Sequence, residues 1–204
     1  IMATYVNNLR LKEIGTGDES GTWGASTNTN LELLGEALGF GTEAITTNAD
    51  THTTTVADGS ADAGRALYII YTGTLDSACT ITIGPNTMKR VHIIKNGTSG
   101  SQNILISQGS GANITIAAGQ TKVVSLDGAG SGAAVTEVFS ALSLVSPSLT
   151  GTPLSTTANA GTNTTQVATT AFVTTAISNA DAFPQGTSML FQQTSAPTGW
   201  TKQT

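Results

Sequence analysis

Few residues in this 204-residue chain combine the types and the spacing that catalysis or metal binding requires. The two histidines, His52 in a threonine run and His92 within RVHIIK, have no Cys, Glu or second His at metal-ligand spacing. Asp58 and Asp62 come closest to a carboxylate cluster, but the further acids of a calcium-binding loop are missing. Cys79 is the only cysteine, which favours a small buried side chain over a disulfide. We therefore expect no enzyme activity, no cofactor and no metal site.

The composition is unusual for a globular domain. Charged residues make up 10% of the chain, well below the ~25% of ordinary globular domains. The net charge is −5 and the eight Lys and Arg residues are scattered, so we expect no nucleic-acid partner. No apolar run approaches the ~20 residues of a membrane span, so we expect no membrane insertion. Abundant Thr, Gly, Asn and Ser favour strands and turns, which predicts a mainly β fold.

The first segment, residues 2–45, is predicted to be a small strand-and-helix module. A strand is expected at Tyr5–Leu11. Thr29 and Glu32 have the capping-box spacing that begins a helix, and Gly39 can end it. The apolar positions of this helix recur at helical spacing and are Leu31, Leu34 and Leu38. Trp23 and Phe40 are large for so small a segment, so they either close a minimal core or face a partner.

The second segment, residues 46–140, is predicted to be an antiparallel β-sandwich or barrel. Its apolar runs are separated by turn residues at intervals of roughly ten residues, which is typical of such folds. Asn96-Gly97 predicts a hairpin turn. The runs are Ala66–Tyr71, Thr80–Ile83, Arg90–Lys95, Asn103–Gln108, Asn113–Ile116 and Lys122–Leu126.

The third segment, residues 141–182, is predicted to be an extended linker or shaft followed by a short helix at Thr169–Asp181. A lone helix of this length is marginal in water, so its apolar stripe favours self-association into a short bundle. The stripe consists of Phe172, Val173, Ala176, Ile177 and Ala180. The last segment, residues 183–204, offers one strand candidate, Ser188–Gln192, and a turn, and is interpreted as the opening of an incomplete distal tip or collar domain.

Several stretches resemble tail-fibre proteins of tailed bacteriophages, particularly marine and cyanobacterial podovirus types. They are Tyr5–Phe40 (YVNNLRLKEIGTGDESGTWGASTNTNLELLGEALGF), Lys95–Gly128, Pro147–Ala180 and Gly186–Lys202 (GTSMLFQQTSAPTGWTK). The order of these stretches, from attachment region to β module to helix to tip, carries more weight than any one of them.

The resemblance implies a structural virion protein, made in the host cytoplasm, that anchors a fibre to the phage tail and carries a receptor-binding tip. It implies a homotrimer whose N-terminal end docks on tail adaptor or nozzle proteins and whose distal end meets a host surface receptor. The expected trimer contact is the helix stripe at residues 172–180. The residues expected at the virion attachment are Tyr5, Leu9, Trp23, Leu31, Leu34, Leu38 and Phe40.

Three other functions fit parts of the sequence. A head fibre or capsid decoration protein would use the same modules and differ only in its docking partner. A polysaccharide depolymerase fragment would need two positioned carboxylates. A threonine-rich ice-binding or adhesin solenoid would need regular T-x-T spacing on one flat face, and Thr51–Thr55 and Thr80–Thr82 do not repeat at a fixed period.

Overall fold

The computed structural model describes residues 3–145 and 147–180, and in the C-terminal segment residues 195, 198, 199 and 201. The chain divides into two compact units, Ile1–Ser143 and Leu144–Thr204. In chain order the helices and strands are α1 (Trp23–Leu38), β1 (Phe40–Ala44), β2 (Thr51–Thr55), β3 (Tyr68–Thr72), β4 (Cys79–Gly84), β5 (Arg90–Asn96), β6 (Ile104–Ser107), β7 (Ile114–Ile116), β8 (Thr121–Leu126), β9 (Val135–Glu137) and α2 (Thr170–Ala180).

The first unit is a sandwich-like pair of mixed β-sheets. Strand order is β1-β3-β5-β8-β9 in one sheet and β2-β4-β6-β7 in the other. Strands β1, β3 and β5 pair in parallel, as do β2, β4 and β6. The chain therefore winds back and forth between the two sheets three times, and each winding contributes one strand to each sheet. We call this arrangement the β coil, or simply the coil, and each winding a turn of the coil. The mainly β prediction is confirmed.

The prediction of antiparallel pairing throughout is wrong. Among the described strands, antiparallel pairing is limited to the end of the coil, where β8 joins β5, β9 joins β8, and β7 joins β6. Parallel neighbours need a crossover connection, and here the strand in the opposite sheet supplies it. Neither sheet closes into a barrel. The six predicted apolar runs do contain strands, β3 to β8.

One apolar core lies between the two sheets. Inward-facing side chains of both sheets join it, among them Ile69 and Ile94 from the first and Ile81 and Ile104 from the second, all fully buried. Fully burying such a side chain contributes ~1.5–3 kcal/mol. Cys79 belongs to this core, as predicted, and burial raises the pKa of its thiol.

Asn96-Gly97 is a corner of the coil and not the predicted hairpin turn, because β5 and β6 lie in different sheets. The Asn96 side chain is fully buried, and its hydrogen-bonding groups all have partners. Its Nδ2 donates to the Gln102 and Ile116 carbonyls, each at 3.0 Å, and its Oδ1 accepts from the Thr98 amide and hydroxyl. These bonds fix the corner, because an unpaired buried amide would cost ~1–3 kcal/mol.

The strand predicted at Tyr5–Leu11 is wrong. Asn7 folds this stretch into a turn, since its Oδ1 accepts from the amides of Leu9 (3.2 Å) and Leu11 (2.9 Å). A side chain that bonds to its own backbone in this way competes with strand pairing. Only an isolated bridge between Thr4 and Glu13 remains.

The predicted N-terminal helix is confirmed, but it begins at Trp23, so Thr29 and Glu32 lie in its interior and do not cap it. Gly39 ends the helix, as expected. Tertiary contacts account for the early start. Asn30 Oδ1 accepts from the Lys12 amide (3.0 Å), and Lys12 Nζ donates to Ser26 Oγ (3.1 Å), so the first turns of α1 are held from outside the helix.

In the second unit, residues 147–165 form turns and irregular chain, and α2 confirms the predicted helix. The predicted strand Ser188–Gln192 lies outside the described residues, as does most of the segment 183–204.

Candidate functional site

An exposed apolar stripe runs along helix α1. Trp23, Leu31 and Leu38 are 62%, 60% and 79% exposed, and Leu34 on the same face is half-buried. Phe40, two residues past the helix, is 66% exposed. We call these five residues the α1 stripe. Large apolar side chains that stay exposed together on one face are typical of a protein contact.

A second face of α1, adjacent to the stripe, holds the helix to the first unit. Leu33 and Ala37 are buried there. Asn30 Nδ2 donates to the Lys12 carbonyl at 2.9 Å, and Glu36 Oε1 accepts from the Asp62 amide at 2.7 Å. Because these contacts fix the rotation of the helix, they also fix the outward direction of the α1 stripe.

Arg65 ties the N-terminal chain to a corner of the coil and is fully buried. Its Nη2 donates to the carbonyls of Ala57 (2.6 Å) and Ser60 (2.8 Å), and its Nη1 donates to the carbonyl of Leu9. The guanidinium also pairs with carboxylates of Asp62, at 3.1 Å, and Glu36, at 3.5 Å. A planar group with five donors suits this convergence of acceptors.

Tyr5 and Leu9, which the sequence places at the attachment surface, are half-buried in this region. The Tyr5 ring packs so closely on Gly59 that a Cβ there would lie 2.7 Å from ring carbon Cε1. Leu9 contributes the carbonyl that Arg65 binds. Both residues position the N-terminal chain, whereas the other five predicted attachment residues form the α1 stripe. That these five contact a virion stays a prediction.

One part of the predicted stripe on helix α2 lines a cavity of its own unit, and the other part is exposed. Phe172 is half-buried, and with Ala176 it lines a shallow cavity of about 100 Å³ against residues 157–161 of the same unit. Val173 and Ile177 are 45% and 57% exposed, and Ala180 is exposed as well. The outward members of the stripe are thus Val173, Ile177 and Ala180.

The histidines belong to the packing of the coil. His52 Nε2 lies 2.7 Å from Glu43 Oε1, and its ring meets the edge of Tyr71, whose hydroxyl is 2.7 Å from Thr54 Oγ1. Burial raises the pKa of Tyr71. This polar group lies inside the first turn of the coil, where its members bond to one another.

His92 is fully buried in β5, and its Nδ1 lies 2.9 Å from the Ala66 carbonyl. Burial, together with the nearby Arg90 guanidinium, lowers the pKa of His92 to about 4, so the ring is neutral at pH 7. Its Nδ1 therefore carries the proton and donates to Ala66. The sequence located this histidine on a strand, but nothing in the local pattern indicated that it faces the core.

Among the described residues, no group of three or more His, Cys, Asp or Glu is arranged to hold a metal ion. Asp58 pairs with Arg10 at 2.7 Å, and Asp62 pairs with Arg65, so the acidic pair singled out in the sequence is divided between two ion pairs. In the part of the chain that the structure describes, no helix has the length and hydrophobicity to cross a membrane.

Comparison of the chain with protein families, characterised proteins and solved structures gave no match. What the candidate site can do is therefore inferred from the geometry of its own residues. Among the described residues, each of the two helices carries a set of exposed apolar side chains.

Proposed function

We propose that this chain is a structural virion protein, the tail-proximal anchor and shaft of a bacteriophage tail fibre. The α1 stripe is the observation that carries the proposal. Four of its five residues are exposed although an adjacent face of the same helix is held by buried residues and hydrogen bonds, so the chain presents an apolar docking surface at its N-terminal end. Tail adaptor or nozzle proteins are the proposed partners of this surface, and a host receptor is the partner of the distal end.

Localisation of the chain on particles tests the proposal. Antibodies raised against the purified chain should label the tails of phage particles in electron micrographs. Labelling on the capsid would instead favour a head fibre or decoration protein, and particles without label would overturn a virion role altogether.

The α1 stripe can be tested separately through incorporation into particles. Virions assembled with Leu31→Lys should carry less of the chain than virions assembled with Thr29→Lys, because Leu31 lies in the stripe and Thr29 is an exposed residue of the same helix outside it. Equal incorporation of both variants would show that docking uses another surface.

The proposed fibre is a homotrimer joined through the outward side chains of α2. An isolated helix of 11 residues is marginal in water, and Val173 and Ile177 stay exposed among the described residues, so burial against α2 of another chain would stabilise the helix. Light scattering should give a mass near three chains for the natural sequence. Val173→Asp with Ile177→Asp should lower that mass.

The matched control is Thr174→Asp with Ser178→Asp, which adds the same charge to exposed positions on the other side of α2 and should keep the mass of three chains. Phe172 is a poorer choice for this test because it packs within its own unit. A natural chain that is monomeric would contradict this role of α2. So would a trimeric mass for the variant that carries both Val173→Asp and Ile177→Asp.

A further inference from the structure

The outer face of the five-stranded sheet carries a row of apolar side chains in register across four strands. Phe40 lies opposite Tyr68, Tyr68 opposite Ile93, and Ile93 opposite Val123. The Phe40 and Tyr68 rings are 6.3 Å apart. Two further outward residues extend the row, and the whole set, the apolar sheet face, consists of Phe40, Tyr68, Ile70, Val91, Ile93 and Val123.

The outer face of the opposite sheet has a different character. Thr51 lies opposite Thr80 and Thr53 opposite Thr82, and all four side chains are exposed or half-buried. A sheet that meets water on its outside is expected to carry polar residues there. One sheet of this coil follows that expectation and the other does not, so the apolar sheet face is a local property that calls for a covering partner.

We propose that the apolar sheet face is covered by a second copy of this chain, so that the proposed homotrimer is held at the β coil as well as at α2. This inference rests on the proposed function. Lys95 is the one charged side chain on the outer positions of β1, β3, β5 and β8, all of which the structure describes, so the face offers little to attract a charged partner. The surfaces that match it in chemistry are the same faces of the other two copies, which converge on it about a threefold axis, with the threonine faces left to solvent.

The apolar sheet face is smaller than a stable interface requires, so a second contact must contribute to the association. Four strands ~4.8 Å apart, each 5–7 residues long at ~3.3 Å per residue, cover on the order of 300–400 Å². A stable interface buries ~800 Å² on each partner. The sheet face alone would therefore associate weakly, and contacts at α2 of the same chain would raise the combined strength by linking the two.

Substitution of the two most exposed members tests the proposal with the full-length chain. Phe40 and Val91 are 66% and 47% exposed, so Phe40→Lys with Val91→Lys should leave the fold intact, which circular dichroism and thermal melting check. The matched control is Thr53→Lys with Thr80→Lys on the other sheet. Light scattering over a dilution series should show that the first pair dissociates at a protein concentration about tenfold or more above that of the control.

The outcomes separate this inference from the proposed function. If the natural chain is trimeric and both double variants dissociate at the same concentration, the sheet face is not an interface, while the fibre proposal stands. If the natural chain is monomeric, this inference and the proposed homotrimer are both overturned, whereas the virion role is decided by the labelling of particles.

Discussion

Replacement of Arg65 by methionine should destabilise the first unit by about 3–5 kcal/mol, which is the usual cost of removing one partner from a buried ion pair. Arg65 is fully buried, and its Asp62 and Glu36 partners are only 15% and 26% exposed. Methionine fills most of the volume but removes the cation with which both carboxylates pair. It also leaves three backbone carbonyls without their donor, including that of Leu9.

Arg10→Met is the matched control, because Arg10 also joins the N-terminal chain to the same corner through an ion pair. Its Asp58 partner is 50% exposed, so the loss should stay below ~1 kcal/mol. Urea unfolding at one fixed protein concentration measures both variants, since association would make the midpoint depend on concentration. Similar midpoints for the two variants would refute the assignment of Arg65 as the main link between the N-terminal chain and the coil.

Two further substitutions probe the interior of the coil, the second with a control. His92 has a pKa of about 4 in the folded chain and ~6.5 in the unfolded chain. Between these pH values the unfolded chain binds more protons than the folded chain. The free energy of unfolding should therefore fall by ~3 kcal/mol as the pH drops through that range. His92→Asn should remove that part of the pH dependence, as urea unfolding at pH 7 and pH 4.5 would show; an unchanged slope would contradict the burial of a neutral ring. Gly100 has φ +96°, and a Cβ there would lie 1.9 Å from the Leu75 carbonyl oxygen, so Gly100→Ala should cost at least ~3 kcal/mol. Gly119→Ala, at φ +77° in open space, should cost only ~1 kcal/mol in the same assay, and equal losses would mean that the chain is not tightly stacked at Gly100.

Strands in which apolar side chains alternate could be predicted from the sequence. Strands β1 and β2, which lack this alternation, could not. Strands β3 to β8 coincide with runs rich in Ile, Leu and Val, whereas β1 (FGTEA) and β2 (THTTT) carry almost no apolar residues. These two strands obtain their inward contacts from polar side chains: Glu43 bonds to His52, and Thr54 bonds to Tyr71 of the third strand. Such a polar interior has no signature in hydrophobic periodicity.

Strand direction was beyond the reach of local pattern, because parallel and antiparallel strands share the same alternation of side chains. A repeat along the chain would have indicated a coil. The repeat is hidden because successive turns differ in length: the paired residues Phe40, Tyr68 and Ile93 are not evenly spaced in the sequence. Turn signals such as Asn96-Gly97 then favoured a hairpin where the structure has a corner.

The candidate surfaces were predictable in part. Apolar residues at helical spacing identified the stripes of α1 and α2, since period is a local property. Which members face outward depends on tertiary contacts. Phe172 packs on residues 157–161 of its own unit, and Tyr5 packs on Gly59, which is far away in sequence. The apolar sheet face left no signal because its members come from four separate strands.

The parallel pairing of β2 with β4 bears on the threonine-rich ice-binding or adhesin alternative. Thr51 and Thr53 align with Thr80 and Thr82 even though the sequence has no fixed threonine period, so the lack of a period does not exclude an ordered hydroxyl face. The next strand ends the array, because it places Leu105 beside Thr80 and the buried Ser107 beside Thr82. Two strands of threonine give a narrow polar face suited to solvent. An ice-binding or adhesive surface would need the hydroxyl rows to continue over further turns, and the third turn of this coil breaks them.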